Sequence, residues 1–340
     1  MTNSANRTLM LLSLITTSIL LQSNLALTSI PQLAVLVTTN KSAYTYRSIV
    51  EISGKLWLSG QLVDGIIGIE ITNPNSDTLV VRAVPAGTPT LSNDVEIVAV
   101  TPCDQLGNPK DTFKRGTEDA HVNVTVRNND ITSSKNILIT VVAYDNDSTP
   151  ILPQVQYIQT TLPPGGTIQF KPDFPLNPWI STGNAIFYAS VFTDWPSNVG
   201  IPYTTEKSAK FTVTTSTGTL AITNVNNIET TSLTGIYSLA FRLPPTNETG
   251  APFGNYTIKV SAYSQGYTAQ SSTTFTREFQ IDGDVNFDHK VDILDIVAIT
   301  SKYGSKSGDP NWNPEVDIQP SGKIDITDVV TATSKYGQTY

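Results

Sequence analysis

Apolar and polar residues alternate over short runs through most of this chain. Val50 and Ile52 alternate with Glu51 and Ser53, and the run continues less regularly through Lys55 and Leu56-Trp57-Leu58. Val122, Val124 and Val126 share one face of "HVNVTVRN", and Ile137, Ile139, Val141 and Ala143 share one face of "NILITVVAYD". A period of two is that of a β-strand with one buried face. Further strands are predicted over 183–196, 208–215, 235–243, 254–264 and 272–281. Asp64-Gly65, Asn73-Pro74-Asn75-Ser76 and "LPPGG" (162–166) read as turns between them. No useful run with helical period occurs between the N-terminal apolar segment and residue 290. The pattern predicts β-sandwiches built from short strands and regular turns.

The last fifth of the chain departs from this pattern. In "GDVNFDHKVDILD" (283–295) a carboxylate or amide recurs at nearly every second position. From Asp282 onward there are nine Asp and one Glu against five Lys, so most of the net charge of −8 is concentrated there. Calcium takes six to eight hard oxygens, which a loop supplies from positions 1, 3, 5, 7, 9 and 12, position 7 through its backbone carbonyl. Counted from Asp284, these are Asp284, Asn286, Asp288, Lys290 (carbonyl), Asp292 and Asp295. Position 6 usually needs Gly for a left-handed turn; here it is His289, a mild departure. A second copy follows, with Asp317, Gln319, Ser321, Lys323 (carbonyl), Asp325 and Asp328, and it has Gly322 at position 6. Asp284 to Asp317, Asp295 to Asp328 and Gly304 to Gly337 are all offsets of 33, so the repeat is in register. Two calcium ions are therefore expected. The first loop offers four side-chain carboxylates and the second three, with Pro320 stiffening the latter, so the first should bind more tightly.

Each loop should run into a short helix. Asp292 and Asp295, like Asp325 and Asp328, have the spacing of a capping pair that also favours the helix dipole. Ile296, Val297 and Tyr303 match Val329, Val330 and Tyr336, and Gly304 and Gly337 stop the helices. No helical run precedes either loop, so each unit is half an EF-hand. Two such units in tandem resemble a type I dockerin module over 282–340, with "DPNWNP" (309–314) between the repeats as in archaeal-looking versions. The resemblance implies calcium-dependent folding and binding to a cohesin domain on a scaffold or surface protein. It also implies that positions 10 and 11 of each loop and the adjoining helix face read the partner. These are Ile293-Leu294 and Ile326-Thr327, with Lys302 and Lys335 further along. Cellulosomal dockerins often carry small hydroxyl residues at that pair, and Ile293-Leu294 departs from this toward an apolar contact.

Upstream, "YRSIVEISGKLWLSGQLV" and "TGIYSLAFRLP…GNYTIKVSAYS" resemble the two halves of a macroglobulin-type, immunoglobulin-like domain. "VNVTVRN" and "TLPPGGT" resemble an adhesion-type (CARDB-like) sandwich of bacterial and archaeal surface proteins. The expected fold is mostly β: two immunoglobulin-like β-sandwiches, one inserted in the other, plus a small α-helical dockerin-like domain with paired calcium loops. The divisions are a signal peptide (1–29), a discontinuous outer sandwich (34–92 and 217–281), an inserted sandwich (93–216) and the dockerin-like domain (282–340). Three sandwiches in series is the alternative.

The remaining features refine this reading. Arg7 followed by the 13-residue run Leu9–Leu21 has the form of a signal peptide, with an uncleaved anchor as the alternative. Either implies export to the cell surface or beyond. No second hydrophobic span follows, so no transmembrane segment is expected once the signal is removed. Five N-x-S/T sequons follow, at Asn40, Asn123, Asn146, Asn247 and Asn255. Cys103 is the only cysteine and reads as a packed residue. Acidity disfavours nucleic acid as a partner. His121, with Glu118 and Asp119 nearby, lacks a nucleophile motif, and no carboxylate pair of glycosidase type stands out. Catalysis is not expected. Trp57 reads as core. Trp179 and Trp195 lie near turns; an exposed coplanar pair there would point instead to a polysaccharide-binding or polysaccharide-degrading component. A calcium-stabilised structural protein with no cohesin partner is the third possibility.

Overall fold

The computed structural model describes residues 31–215, 233–245 and 251–340. The predicted signal peptide, residues 216–232 and the sequon at Asn247 lie outside them. The molecule is mostly β, of immunoglobulin-like type. Six strands come first: β1 (Leu33–Thr39), β2 (Ala43–Tyr44), β3 (Ile49–Leu58), β4 (Gln61–Leu62), β5 (Gly65–Thr72) and β6 (Thr78–Ala86). Nine follow: β7 (Val95–Cys103), β8 (Thr112–Lys114), β9 (Asp119–Asn128), β10 (Lys135–Tyr144), β11 (Gln156–Leu162), β12 (Thr167–Phe170), β13 (Asp173–Pro175), β14 (Gly183–Phe192) and β15 (Lys207–Thr214). The last three are β16 (Ile236–Arg242), β17 (Gly254–Ser264) and β18 (Tyr267–Arg277).

Pairing among these strands is nested. One sheet runs β1-β3-β16 with β4 on the end of β3, and its partner runs β2-β18-β17-β5-β6. Strands from both ends of the sequence thus share two sheets. Strands β7 to β15 pair only with one another, in sheets β12-β9-β13 with β7 on β9, and β11-β10-β14-β15-β8. The first pair of sheets is called the outer sandwich below and the second the inner one.

Burial explains why some strands alternate and others do not. In β3 every second residue is buried, because its other face meets solvent. In β10, every residue from Ile137 to Tyr144 is buried. Its Ile137, Ile139, Val141 and Ala143 fill the inner core, while Leu138, Val142 and Tyr144 join the core of the outer sandwich. Strand β6 is buried on both faces in the same way. The two sandwiches therefore share an apolar seam, and strands along it need continuous rather than alternating hydrophobicity.

Two expectations need correcting. Trp57 is half-buried, because the alternation of β3 turns Leu56 inward and Trp57 outward, opposite Leu62. Strand β18 begins at Tyr267, not near 272, and ends at Arg277. Its first half alternates partly buried small residues with exposed polar ones, which leaves little apolar signal to read.

One ion pair lies in the seam. Arg82 of β6 donates to both carboxylate oxygens of Glu206, Nε to Oε2 and Nη2 to Oε1, each at 2.5 Å. Its guanidinium stacks over Tyr188 of β14, 3.3 Å from the ring centroid. The Glu206 carboxylate also accepts from the Ala83 amide at 3.3 Å. Both side chains are nearly buried, so losing one partner strands a charge.

After β18 come two helices, α1 (Ile293–Thr300) and α2 (Ile326–Ser334), around a small core of Val285, Ile299, Val316, Ile318, Ile324 and Ala332. Among the described residues, no helix is long and apolar enough to cross a membrane.

The seam yields a stability prediction. Glu206→Gln should lower the free energy of unfolding by about 3–5 kcal/mol in urea titrations, because Arg82 is left charged and buried. The double change Arg82→Met/Glu206→Leu should recover most of that loss. A single-variant loss below about 1 kcal/mol would show that the pair does not hold the seam.

Candidate metal centre

The two acidic loops are built by backbone amides folding around one carboxylate at each end. In the first, the Asp284 carboxylate accepts from the amides of Phe287 (2.8 Å), Asp288 (3.2 Å) and His289 (3.0 Å). Asp295 accepts from the amides of Val285 (2.9 Å), Asn286 (3.2 Å) and Asp292 (2.8 Å). His289 has φ of 69°, the left-handed conformation that position 6 requires, as has Gly322 with φ of 74° in the second loop. Position 8 anchors each loop, with Val291 and Ile324 fully buried. In the second loop Asp317 accepts from Ser321 (3.1 Å) and Gly322 (2.9 Å), and Asp328 from Gln319 (2.9 Å) and Asp325 (2.8 Å).

Both loops end in a full capping box. Asp292 accepts from the Leu294 amide while Asp295 reaches back to the Asp292 amide, and Asp325 and Asp328 do the same for α2. Each position-12 carboxylate is thus fixed by the loop on one side and its helix on the other.

All four terminal carboxylates, Asp284, Asp295, Asp317 and Asp328, are fully buried. Buried anions are costly without a cation. Burial pushes Asp317 up to about 7 against the pull of Arg47, and it raises Asp328 as well. The intermediate predicted ligands are looser. Asn286 and Asp288 are exposed and 3.2 Å apart, with Asp292 half-buried. Lys290 turns its ammonium to 2.7 Å from Asp292 and 3.7 Å from Asp288, so the loop's own lysine faces two of its carboxylates. That contact lowers Asp292 and raises Lys290. In the second loop the Ser321 hydroxyl donates to the Lys323 carbonyl at 2.9 Å, bringing two predicted ligand oxygens together, while Gln319 stays exposed. The Thr327 hydroxyl and amide hold Asp325 low. Among the described residues, no three His, Cys, Asp or Glu side chains stand together as a ready-made metal group. The predicted shells also draw on Asn286, Gln319, Ser321 and two backbone carbonyls. Hard oxygens around buried, hydrogen-bonded carboxylates are a donor set that suits calcium.

Two contacts were not legible from loop spacing. The Tyr340 hydroxyl donates to Asp284 Oδ2 at 2.9 Å. Burial and this bond raise the Tyr340 hydroxyl. At the second loop, Arg47 Nη1 lies 3.6 Å from Asp317 Oδ2, and both side chains are fully buried. Arg47 lies between β2 and β3, so no local pattern points to it.

Of the predicted partner residues, Ile293, Leu294 and Ile326 are exposed, together with other apolar side chains on each helix and the turn after it. Ile293, Leu294, Val297 and Tyr303 are exposed at 56–58%, and so are Ile326, Val330 and Tyr336. Thr327 is exposed, and Lys302 and Lys335 are half-buried at the helix ends. The other candidates are less accessible. Trp179 is buried and Trp195 half-buried with its ring edge-on to Tyr157, so they do not form an exposed pair. His121 is half-buried on β9, opposite Cys103 and Asp173.

No protein-family model and no curated protein matches this chain. Solved structures similar to it include the C-terminal domain of Wzt, at 12% identity over 37% of this chain and 77% of that one, with a TM-score of 0.30. A β-glucosidase from Listeria innocua in complex with isofagomine matches at 12% identity over 35% of this chain and 16% of its own length (TM-score 0.24). A β-glucuronidase from glycoside hydrolase family 2 matches at 9% over 49% of this chain and 24% of its own (TM-score 0.27). The chain therefore spans a quarter or less of either glycosidase. Likeness at this level assigns neither family nor activity.

Proposed function

We propose that residues 282–340 are a calcium-stabilised, dockerin-like module that binds a cohesin-type domain, and that the sandwiches are a spacer or adhesive stalk of an exported, cell-surface protein. The observation that carries this reading is the apolar face on each helix. Ile293, Val297 and Tyr303 recur 33 residues later as Ile326, Val330 and Tyr336, and all six are about equally exposed. The inward positions recur too, with Ile299 and Ala332 both fully buried. A duplicated unit that keeps large apolar side chains outward in both copies presents a surface for a partner. Leu294, opposite Thr327 in the repeat, adds bulk to the first copy only.

In this reading each loop supports the face that follows it. Asp284, Asn286, Asp288, the Lys290 carbonyl, Asp292 and Asp295 would hold the first ion. Asp317, Gln319, Ser321, the Lys323 carbonyl, Asp325 and Asp328 would hold the second. When bound, calcium supplies the positive charge that the buried carboxylates need. The capping boxes then pass loop order to the first turn of each helix, where Ile293 and Ile326 sit. The Lys290 ammonium would have to leave Asp288 and Asp292 as the ion enters.

Chelation should therefore loosen the C-terminal module and leave the sandwiches intact. In calorimetric melts of the full chain, replacing calcium with EGTA should lower a C-terminal transition by 10 °C or more, an effect on the order of 2–3 kcal/mol for so small a unit. Asp295→Asn should abolish the tighter calcium site in titration calorimetry. Melts that superimpose with and without the chelator would rule out a calcium-stabilised module.

The partner face has its own test. Against a panel of cohesin domains, the intact chain should bind one or more in calcium and none in EGTA. Ile293→Asp/Leu294→Asp should reduce that binding at least tenfold, in line with losing about 1–2 kcal/mol or more at a buried hot spot. Calcium-dependent folding with no binding to any cohesin would favour a purely structural module.

A further inference from the structure

The two loops match in sequence register but are completed by different partners. In the first, the position-1 carboxylate accepts from the Tyr340 hydroxyl in addition to its three backbone amides. Thirty-three residues before Tyr340 stands Ser307, whose buried hydroxyl has no hydrogen-bond partner. Serine is too short to do at Asp317 what Tyr340 does at Asp284. The outer sandwich supplies the missing group, because Arg47 Nη1 approaches Asp317 Oδ2, the counterpart of the oxygen that Tyr340 contacts.

Arg47 is held for this contact. Its φ of 52° is left-handed, and its carbonyl accepts from Arg242 Nη1 at 2.7 Å. The preceding residue donates its amide to Gln280 Oε1 at 3.1 Å, and Gln280 Nε2 donates to the Asp284 carbonyl. One turn of the outer sandwich thus meets Asp317 directly and Asp284 through Gln280. None of the three Arg47 guanidinium nitrogens makes a hydrogen bond, although the side chain is fully buried. Its charge is therefore matched by Asp317 at 3.6 Å rather than by a set of carbonyl acceptors. A second guanidinium backs the first. Arg115 Nη1, held on the Ile180 carbonyl at 2.7 Å, lies 2.7 Å from where a Cβ on Gly322 would sit.

We propose that Arg47, assisted by Arg115, acts as a built-in cation for the second loop, opposing calcium there and coupling that loop to its seat on the sandwiches. The inference rests on the calcium reading above. A tyrosine hydroxyl leaves the charge of Asp284 whole for an incoming ion, whereas a guanidinium cancels part of that of Asp317. Asp317 faces Arg47, and Arg115 stands beside Gly322, so the loop offers a divalent ion less net charge than ligand count alone suggests. Repulsion between a fixed guanidinium and a divalent ion in a buried site falls off slowly with distance. Calcium would then enter strongly only where Arg47 is displaced or replaced by an uncharged residue.

Calcium titration calorimetry on the full chain, with calcium chloride as the probe, tests this. The wild type should show one tight and one weak site. Arg47→Gln, which keeps a hydrogen-bonding group but removes the charge, should tighten the weak site at least tenfold and leave the tight one unchanged. Adding Asp328→Asn should abolish the tightened site, assigning it to the second loop. Arg115→Gln, at a less buried position, should tighten the same site by a smaller factor and gives the answer if Arg47→Gln does not fold. An unchanged or weakened second site in the folded variants overturns the proposal while the calcium reading stands. Calcium uptake by neither the wild type nor any variant overturns both.

Discussion

A buried carboxylate must be matched where it sits, and the C-terminal part of this molecule is organised around that requirement. Four of them, one at each end of each loop, are fully buried within a module whose apolar core contains only a few side chains. Backbone amides supply part of the match, and in doing so they dictate the path of each loop. The left-handed turn at His289 and Gly322 exists so that the position-6 amide can point back at the first aspartate. The capping boxes exist so that the last aspartate can reach the loop and the helix at once. Amides carry only partial charge, however. What remains has to come from a cation, whether an ion or, at Asp317, the Arg47 guanidinium.

The same requirement governs how the pieces meet. Around Asp317 the outer sandwich contributes Arg47, and the inner one contributes Arg115 and, nearby, Asp147, which accepts from Trp312 Nε1 at 3.1 Å. Arg242 spans the gap, donating to the carbonyls of Arg47 and Asp147. Burial lowers both Arg115 and Arg242, so each guanidinium is under pressure to keep its acceptors. A junction of this kind adds little net stability beyond what apolar packing would give. It is selective, because any misfit leaves a charge unpaired. The apolar seam between the sandwiches follows a similar logic. Broad burial along β6 and β10 supplies the area, and the Arg82–Glu206 pair fixes how the two faces sit.

What could be read in the sequence was what is local. The alternation of β3 and the carboxylate spacing of both loops lie within a dozen residues, and the chain reports them directly. Continuous runs such as "ILITVVAY" also read as strand, although the reason for their continuity lies in a second sandwich packed on their far face. The start of β18 was hidden because small polar residues alternate there in place of apolar ones. Trp57 was misplaced because "LWL" breaks the alternation, leaving the inward residue ambiguous until Leu56 is seen in the core. Arg47 and Asp317 were beyond any local pattern, since they stand 270 positions apart and neither belongs to a shared motif. Tyr340 was nearer to being legible. The repeat puts it opposite Ser307, and that mismatch signals that the two loops cannot be finished in the same way.

Leu294 against Thr327 apart, the asymmetry stops short of the helix surface. The loops differ in carboxylate count, in the residue at position 6 and in what touches the first aspartate, yet both helices carry the same capping box. The outward residues beyond it reach nearly identical exposure in both copies. A local box of hydrogen bonds, identical in both repeats, thus insulates the apolar face from the differing electrostatics behind it. One loop can be committed to an internal guanidinium, and to a fixed seat on the sandwiches, without altering the surface that the other presents. This separates two demands that one repeat would have to meet together: holding the C-terminal helices in place and keeping an apolar face open to solvent.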